Sequence, residues 1–203
     1  MIEVQRRKSS RLMLAGLFAL FALPLAGAFW LYYATDWRPA RTTNHGTLIE
    51  PVRALPALSY RDPAAGLAVE QLFHGKWTLV VVAGGRCDEA CRSSLVYARQ
   101  VHIGMGRLSA RMQRVLLVPA DCCDREYLDR EHPGLQVADL AGGAAALVAA
   151  GKELLAAFAG ERQDRRIFVV DPLGNLMMSY DTQLPARGLH DDLQKLLDLS
   201  HIG

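Results

Sequence analysis

The chain of 203 residues begins with one long apolar block and continues with shorter blocks in which apolar and polar positions alternate. Residues 12–34 contain no charged side chain. At about 1.5 Å per residue, a helix of that length crosses a hydrocarbon core about 30 Å thick. Pro24 lies near its middle, where a membrane helix tolerates proline. We therefore predict one transmembrane helix over 12–34, followed by an interfacial group of Trp and Tyr side chains: Trp30, Tyr32, Tyr33 and Trp37.

The charges on either side of this block predict its orientation. Four basic residues lie within 1–11, and only Arg38 and Arg41 follow shortly after the block, so the positive-inside rule places the N-terminus in the cytoplasm. A cleaved signal peptide is the alternative, because Ala-Gly-Ala at 26–28 resembles a cleavage site, although the apolar run continues beyond it. Both alternatives export the rest of the chain. We expect a single-pass protein of the bacterial inner membrane with its C-terminal domain in the periplasm.

The segment after the apolar block, residues 35–63, has little helical periodicity. It contains several prolines, which predicts an extended linker with one short strand at Thr47 to Glu50. Residues 64–203 are then the folded domain. Within it, residues 77–83 form an apolar, β-branched run without alternation, which is typical of a strand covered on both faces.

Helical and strand patterns alternate through the folded domain. Apolar residues recur every three or four positions from Cys91 to Met112, which predicts a helix weakened in its second half by Gly104 and Gly106. The order of elements predicts a three-layer α/β/α sandwich in which helices cover a central sheet. The later elements are a strand at 115–118, a short helix at 125–130, a helix at 147–158, a hairpin of 167–170 and 176–178 with a type I turn at 171–174, and a terminal helix at 189–197.

Composition excludes several classes of protein. With 51% hydrophobic residues, 22% charged residues and four cysteines, the chain is neither a disordered tail nor a disulfide-held mini-protein. The net charge of +2 comes from the basic residues of the N-terminal tail, so the folded domain has no basic excess that would favour nucleic acid. Residues 139–143 contain glycines without the phosphate-loop pattern, so we expect no nucleotide.

Cys87 and Cys91 occur in the sequence Cys-Asp-Glu-Ala-Cys, where the first buried strand passes through a glycine turn into a helix. A thiol at a helix N-terminus lies at the positive end of the helix dipole, which lowers the thiol pKa and favours the thiolate that attacks disulfides or binds soft metals. We therefore predict a redox pair in which Cys87 attacks and Cys91, on the apolar stripe, resolves. Asp88 and Glu89 oppose this partly, since nearby carboxylates raise a thiol pKa.

This strand, turn, Cys-x-x-x-Cys and helix, together with Val-Asp-Pro-Leu-Gly at 170–174 and the N-terminal anchor, resemble the Sco/SenC family of thioredoxin-like proteins. The resemblance extends over about Thr47 to Leu199. It implies a thioredoxin-like domain that acts in thiol reduction or copper delivery at the CuA centre of cytochrome c oxidase. It also implies copper as the candidate cofactor, and a respiratory oxidase subunit or a copper chaperone as partner at the inner membrane.

Members of that family bind copper with the two motif cysteines and a histidine before the hairpin, which implies Cys87 and Cys91 as metal ligands here. The position that corresponds to the histidine is Gln163, and no histidine lies between His132 and His190. Glutamine is a poor ligand for a soft cation. We therefore expect the dithiol to keep disulfide exchange and to bind Cu(I) weakly unless other thiols contribute.

Cys122 and Cys123 follow the second buried strand. Because parallel strands end at the same edge of a sheet, we expect this pair near Cys87 and Cys91. Three interpretations are open: small residues or an adjacent-residue disulfide without function, a second redox pair, or a four-thiolate site for Zn or Cu(I) formed with the first pair. For Asp121, the turn position favours a structural role over that of a proton acceptor.

The histidines offer no metal pair by their spacing. His45, His74 and His132 lie in linker or loop segments, and we expect them to be solvated. His102 lies three to four turns from Cys91, at about 5.4 Å per turn too far to join that site. Two functions follow from the sequence: thiol–disulfide exchange or copper-site assembly, and a non-catalytic assembly or interaction factor that kept the fold and lost copper binding.

Overall fold

The computed structural model describes residues 2–35, 43–56, 60–61, 68–69, 72–83, 87–118, 122–140, 145–158 and 165–203. The chain divides into two compact units, Met1–Thr43 and Asn44–Gly203. Among the described residues, the first unit contains one helix and the second an α/β domain.

Helix α1 (Ile2–Ala34) lies in the first unit. Its stretch Leu12–Ala34 has a mean hydropathy of 2.2 and is the one candidate for a membrane span within the described residues. Pro24 lies inside the helix without ending it. The apolar helix that the sequence predicts is confirmed, and its passage through a membrane in the orientation given above remains a prediction.

A six-stranded sheet forms the centre of the second unit. Its strands lie side by side in the order β1 (Thr47–Ala54), β8 (Asn175–Asp181), β7 (Arg166–Val170), β4 (Trp77–Val82), β5 (Met112–Val118) and β6 (Leu135–Asp139). Strands β4, β5 and β6 are parallel, whereas β7 is antiparallel to β4, and β8 is antiparallel to β7 and β1. Two short strands, β2 (Tyr60–Arg61) and β3 (Ala68–Val69), pair with each other. All of β4 is buried, as its apolar run predicts.

Helices cover both faces of the sheet. On one face α2 (Glu89–Gly104), α3 (Arg125–Glu131) and α5 (Ala186–Leu199) bury apolar side chains, among them Leu95, Leu128 and Leu193. On the other face α4 (Ala145–Phe158) contributes Leu154 and Phe158. Each fully buried side chain of this size stabilises the fold by about 1.5–3 kcal/mol. The predicted three-layer, thioredoxin-like α/β/α architecture is confirmed.

Several elements differ from the prediction, most clearly α2, β6 and β1. Helix α2 ends at Gly104, and after a 3-10 helix (Gly106–Arg111) Met112 already belongs to β5. The break coincides with a φ of +54° at Gly106, a conformation that favours glycine. Strand β6 is missing from the predicted order, because Gln136 interrupts its short apolar run. Strand β1 is longer than predicted and pairs with β8, so part of the predicted linker is an edge strand of the sheet.

The turn between β7 and β8 lies at the predicted residues, 171–174. The Gly174 amide donates to the Asp171 carbonyl at 3.0 Å, and Gly174 has a φ of +86°. The Asp171 carboxylate accepts hydrogen bonds from the amides of Leu173 and Asn175. This hairpin sets the register of β7 and β8, which places Tyr180 opposite Ile167, near the sheet edge at which β4 ends.

Candidate redox site

The first cysteine pair lies between the C-terminal end of β4 and the first turn of α2. Cys87 precedes the helix, Asp88 is its N-cap residue and Cys91 lies in the first turn. The Asp88 carboxylate accepts a hydrogen bond from the Cys91 amide (Oδ1···N 3.0 Å), which satisfies one of the free amides of the helix start. Cys87 and Cys91 form a disulfide, with their Cα atoms 5.2 Å apart.

The two cysteines of this pair differ in exposure. Cys91 is 9% exposed and belongs to the core between the sheet and helices α2 and α5. Cys87 is only partly buried, at the margin of the same core. An attacking thiol must be accessible, whereas a resolving thiol acts within its own protein. The difference in burial supports the assignment of Cys87 as attacking thiol and Cys91 as resolving thiol, which remains a prediction.

Cys122 and Cys123 form a second disulfide, between neighbouring residues. They follow β5 and directly precede Asp124, the N-cap residue of α3, whose carboxylate accepts a hydrogen bond from the Tyr127 amide at 3.3 Å. Both cysteines are partly buried against the core cluster that contains Cys91. Asp121 lies outside the described residues.

The topology brings the two cysteine pairs to one edge of the sheet. Strands β4 and β5 are parallel neighbours in which Val82 pairs with Leu117, so the segments that carry the two pairs leave the sheet side by side. The guanidinium carbon of Arg92, on α2, lies 5.0 Å from the centroid of the Tyr127 ring, on α3. Helix α2, which carries Cys91, therefore contacts α3, which follows Cys122 and Cys123. The expectation that both pairs lie at one edge agrees with this arrangement.

A metal site is not formed by these groups as they stand. The part of the chain that the structure describes contains no cluster of three or more His, Cys, Asp or Glu side chains that could hold a metal ion. The four-thiolate alternative is therefore absent from this structure, in which the four sulfurs are paired in two disulfides. Gln163 lies outside the described residues. Reduction of Cys87 and Cys91 would offer copper two thiolates, which do not by themselves complete a three-ligand set.

A buried carboxylate that the sequence analysis did not predict lies at the same end of the sheet. Asp192, on α5, accepts hydrogen bonds from the Tyr180 hydroxyl and from the amides of His45 (2.7 Å) and Gly46 (3.2 Å). Its Oδ1 also lies 3.0 Å from His45 Nδ1. We call these four residues the Asp192 cluster. Here the expectation of a solvated His45 is wrong in part, because the ring is 57% exposed but its Nδ1 has a buried partner.

The hydrogen bonds of the Asp192 cluster change the acidity of its members. Burial alone would raise the pKa of Asp192, but the donors from Tyr180, His45 and Gly46 outweigh it and lower that pKa. Burial, followed by the hydrogen bond to Asp192, raises the pKa of Tyr180. Asp192 is therefore ionised and Tyr180 neutral at pH 7. Spacing in the sequence could not indicate this cluster, because His45 and Asp192 are 147 residues apart.

Helix α2 contacts the end of β8 beside this cluster. The Ser94 hydroxyl, one turn beyond Cys91, lies 3.5 Å from the Thr182 hydroxyl. One turn further along, burial and then the charge of Asp181 raise the pKa of Tyr97. The helix that carries Cys91 is thus packed against the strand end that carries Tyr180.

A second buried polar group, the pair Arg114 and His132, lies on the α3 side of the same sheet face. His132 is 1% exposed and Arg114 is 6% exposed, so the expectation of a solvated His132 is wrong. His132 ends α3, and its ring packs edge-on against that of Tyr127 at 5.8 Å between centroids. Burial, followed by the charges of Arg114 and Arg99, lowers the pKa of His132. The sequence did not indicate this burial, because no apolar periodicity surrounds His132 in the chain.

Together, the sheet order and the cysteine pair at the start of α2 define a thioredoxin-like domain. Residues 77–200 match the family model of the transmembrane-like, thioredoxin-like, C-terminal domain. Because this match covers more than half of the chain, the protein belongs to that family.

Solved structures show the same fold. Apo Sco1 from Thermus thermophilus is 18% identical with a TM-score of 0.56, and the match covers 78% of this chain and 99% of that one. Yeast Sco1 with copper bound is 16% identical with a TM-score of 0.56, over 73% and 95% of the two chains. BsSco is 13% identical with a TM-score of 0.54, over 76% and 99%. No curated protein sequence matches the chain significantly. These likenesses confirm the Sco/SenC-like fold predicted from the sequence.

Proposed function

We propose that this protein is a membrane-anchored, exported thiol–disulfide oxidoreductase that acts in assembly of the copper site of a respiratory oxidase. The observation that carries the proposal is the Cys87–Cys91 pair at the start of α2, with one cysteine partly exposed and the other buried. BsSco, which shares the fold, is described as having a disulfide switch and as a member of a family of cytochrome c oxidase assembly proteins.

The reaction follows from the unequal burial of the two sulfurs. In the reduced protein the Cys87 thiolate attacks a disulfide of the partner, forms a mixed disulfide and releases one partner thiolate, which takes up a proton. The Cys91 thiolate then attacks the Cys87 sulfur, the second partner thiolate leaves, and the Cys87–Cys91 disulfide forms. Two electrons pass to the partner. The reverse sequence oxidises a partner dithiol.

Exchange is tested with the full-length protein in detergent. Equilibration with dithiothreitol gives the reduction potential of the Cys87–Cys91 couple. The reduced protein is then mixed with a peptide disulfide, and exchange is measured. We expect exchange that Cys87→Ser abolishes and that the variant Cys122→Ser with Cys123→Ser retains. A reduction potential below about −300 mV, together with no exchange with any disulfide, would indicate a structural bond and overturn the proposal.

Copper enters this proposal as a substrate. A solved structure of yeast Sco1, which has the same fold, has copper bound, and the thiol donors that the resemblance implies in this chain are Cys87 and Cys91. With glutamine at position 163 in place of the histidine that the resemblance implies, we expect weaker Cu(I) binding than a site of two cysteines and one histidine provides. Gln163→His should strengthen binding, and Cys87→Ser should abolish it. Competition with a chromogenic Cu(I) chelator measures both, and no gain from Gln163→His would contradict the assigned position.

The anchor and orientation are a separate part of the proposal. The apolar helix and the basic residues before it support a cytoplasmic N-terminus and a periplasmic domain. Protease added to spheroplasts should remove the domain after residue 36 and spare a cytoplasmic control protein. Protection of the domain until lysis would contradict the orientation.

A second candidate is a non-catalytic assembly or interaction factor. It is favoured by the lack, within the described residues, of a third metal donor beside the first cysteine pair. The exchange assay separates the two candidates, because only the first requires the Cys87–Cys91 bond to open during the reaction.

A further inference from the structure

We propose that the Cys122–Cys123 disulfide is a second redox couple that exchanges electrons with the Cys87–Cys91 couple within the same domain. This inference rests on the proposed function, which assigns disulfide exchange to Cys87 and Cys91 only. It adds an intramolecular relay, so that the domain stores up to two disulfides and passes oxidising or reducing equivalents from one pair to the other.

The placement of the two pairs is the first argument. Each pair follows one of two hydrogen-bonded parallel strands, and the strands end level with each other, with Val82 paired to Leu117. Segments that leave a sheet from adjacent parallel strands emerge at the same edge. Arg92, next to Cys91 on α2, then contacts the ring of Tyr127 in the first turn of α3, with 5.0 Å from guanidinium carbon to ring centroid.

The shared environment is the second argument. Cys87, Cys122 and Cys123 are each partly buried against one core cluster, of which Cys91 is a buried member. The two disulfides are therefore at the margin of one apolar region and not on opposite faces of the sheet. Partial burial leaves Cys122 and Cys123 accessible to a neighbouring thiolate.

The exchange balances without an external reagent. The Cys87 thiolate attacks one sulfur of the Cys122–Cys123 disulfide, that bond breaks, and the other sulfur leaves as a thiolate. The Cys91 thiolate then attacks the Cys87 sulfur, which breaks the bond between the pairs and restores the Cys87–Cys91 disulfide. The first pair loses two electrons and two protons, and the second pair gains them.

Trypsin separates the two pairs, which makes the relay measurable. Cleavage after Arg86 and Arg92 releases a peptide with Cys87 and Cys91, and cleavage after Arg114 and Arg125 releases a peptide with Cys122 and Cys123. Two double variants leave one thiol in each of the two peptides: Cys91→Ser with Cys123→Ser, and Cys91→Ser with Cys122→Ser. After mild oxidation with diamide, monomer isolated from a non-reducing gel is digested under non-reducing conditions and examined by mass spectrometry.

We expect the two peptides to be joined by a disulfide in at least one of these variants. The matched control is Cys87→Ser with Cys123→Ser, in which the remaining thiol of the first pair is the buried Cys91, and we expect at least about tenfold less of the joined peptide because access limits the exchange. Absence of the joined peptide from both test variants overturns the relay. Equal yields in test and control, in the native and the denatured protein alike, overturn it as well, because they indicate random oxidation.

A second measurement compares the rate at which the Cys122–Cys123 disulfide is reduced with and without the first cysteine pair. The oxidised protein is reduced with thioredoxin, and the free thiols of each tryptic peptide are counted by alkylation. Replacement of both Cys87 and Cys91 by serine should slow reduction of the Cys122–Cys123 peptide about tenfold or more, because the relay route is lost. An unchanged rate contradicts the relay. If the variant lacking Cys122 and Cys123 still exchanges with a peptide disulfide, that result leaves the proposed function standing, whereas loss of exchange there refutes the proposed function separately.

Discussion

The two buried polar groups of the domain differ in how far their hydrogen bonds are satisfied. In the Asp192 cluster one carboxylate meets a hydroxyl, two amides and a ring nitrogen, all at hydrogen-bonding distance. In the pair Arg114 and His132, one guanidinium nitrogen donates to the Pro133 carbonyl at 2.6 Å, while Nε and Nη1 of Arg114 and both ring nitrogens of His132 have no hydrogen-bond partner among the residues that the structure describes. A buried charge stabilises a fold only when its hydrogen bonds are made.

This difference indicates separate roles for the two regions. The Asp192 cluster fixes the chain at His45 and Gly46 against β8 and α5, at the sheet end where the cysteines lie. A Cβ atom at Gly46 would overlap the Tyr180 ring, so the close approach there requires glycine. Arg114 and His132 instead keep a positive charge and a neutral imidazole behind Tyr127, the ring that Arg92 contacts.

The largest effect is expected from Asp192→Ala. It removes the acceptor of several donors and leaves the buried Tyr180 hydroxyl without one, which should cost about 3 kcal/mol of the free energy of unfolding. The matched control is Asp191→Ala, because Asp191 is the neighbouring carboxylate, 46% exposed and paired with Arg187 at 3.7 Å. Asp191→Ala should lower the free energy of unfolding by no more than about 0.5 kcal/mol. Chemical unfolding followed by near-UV circular dichroism measures both, and equal losses would remove the distinction between the two carboxylates.

A smaller effect on the free energy of unfolding is expected from substitution of Arg111 or Arg114. Arg111 donates to four carbonyls near the C-terminus, those of Leu197, Ser200, Ile202 and Gly203. Arg111→Met should therefore cost about 1–2 kcal/mol. Arg114→Met removes a buried charge with few partners, so the free energy of unfolding should stay unchanged or rise by up to about 1 kcal/mol. A loss at Arg114 as large as that at Arg111 would show that the Arg114 guanidinium is satisfied in solution.

The smallest effect is a pH dependence from His132. Its pKa is lowered in the folded state, first by burial and then by Arg114 and Arg99. Between the unfolded value of 6.5 and the folded value, the unfolded chain binds the proton more readily, so stability falls as pH falls through this window and is constant above it. The Asp192 pKa is also lowered, but its contribution is lost only below the ordinary carboxyl value of 3.8. The two groups therefore titrate in different ranges.

Thermal unfolding between pH 7 and pH 5 checks this prediction. His132→Phe should remove part of the loss, and Arg114→Met should reduce it, since one cause of the shift is gone. His74→Gln is the control, because it replaces an exposed histidine. A profile that His132→Phe does not alter would contradict a neutral, buried His132.

Local pattern was sufficient for most elements of this fold. The apolar run of β4, the turn at 171–174 and the terminal helix all depend on residues that are neighbours in the chain, and each lies where the pattern predicts. The stripe of α2 predicts the first part of that helix but not its end at Gly104. Strand β6 could not be predicted in this way, because it gains its stability from pairing with β5. The pattern indicates only the first half of β1, at Thr47 to Glu50, and the strand extends to Ala54 through its pairing with β8.

The surroundings of the candidate redox site also include features that the sequence determined and features that only the tertiary structure decided. The sequence by itself determined the Cys-x-x-x-Cys pair, its position at the start of a helix and the greater burial expected of Cys91, since these follow from spacing along one strand and one helix. Only the tertiary structure decided that Asp192 is held by His45 and Tyr180, and that His132 is buried behind Tyr127. Those contacts join residues from distant parts of the chain, and no periodicity records them, because their energy comes from desolvation and hydrogen bonds that exist only once the sheet and helices have packed.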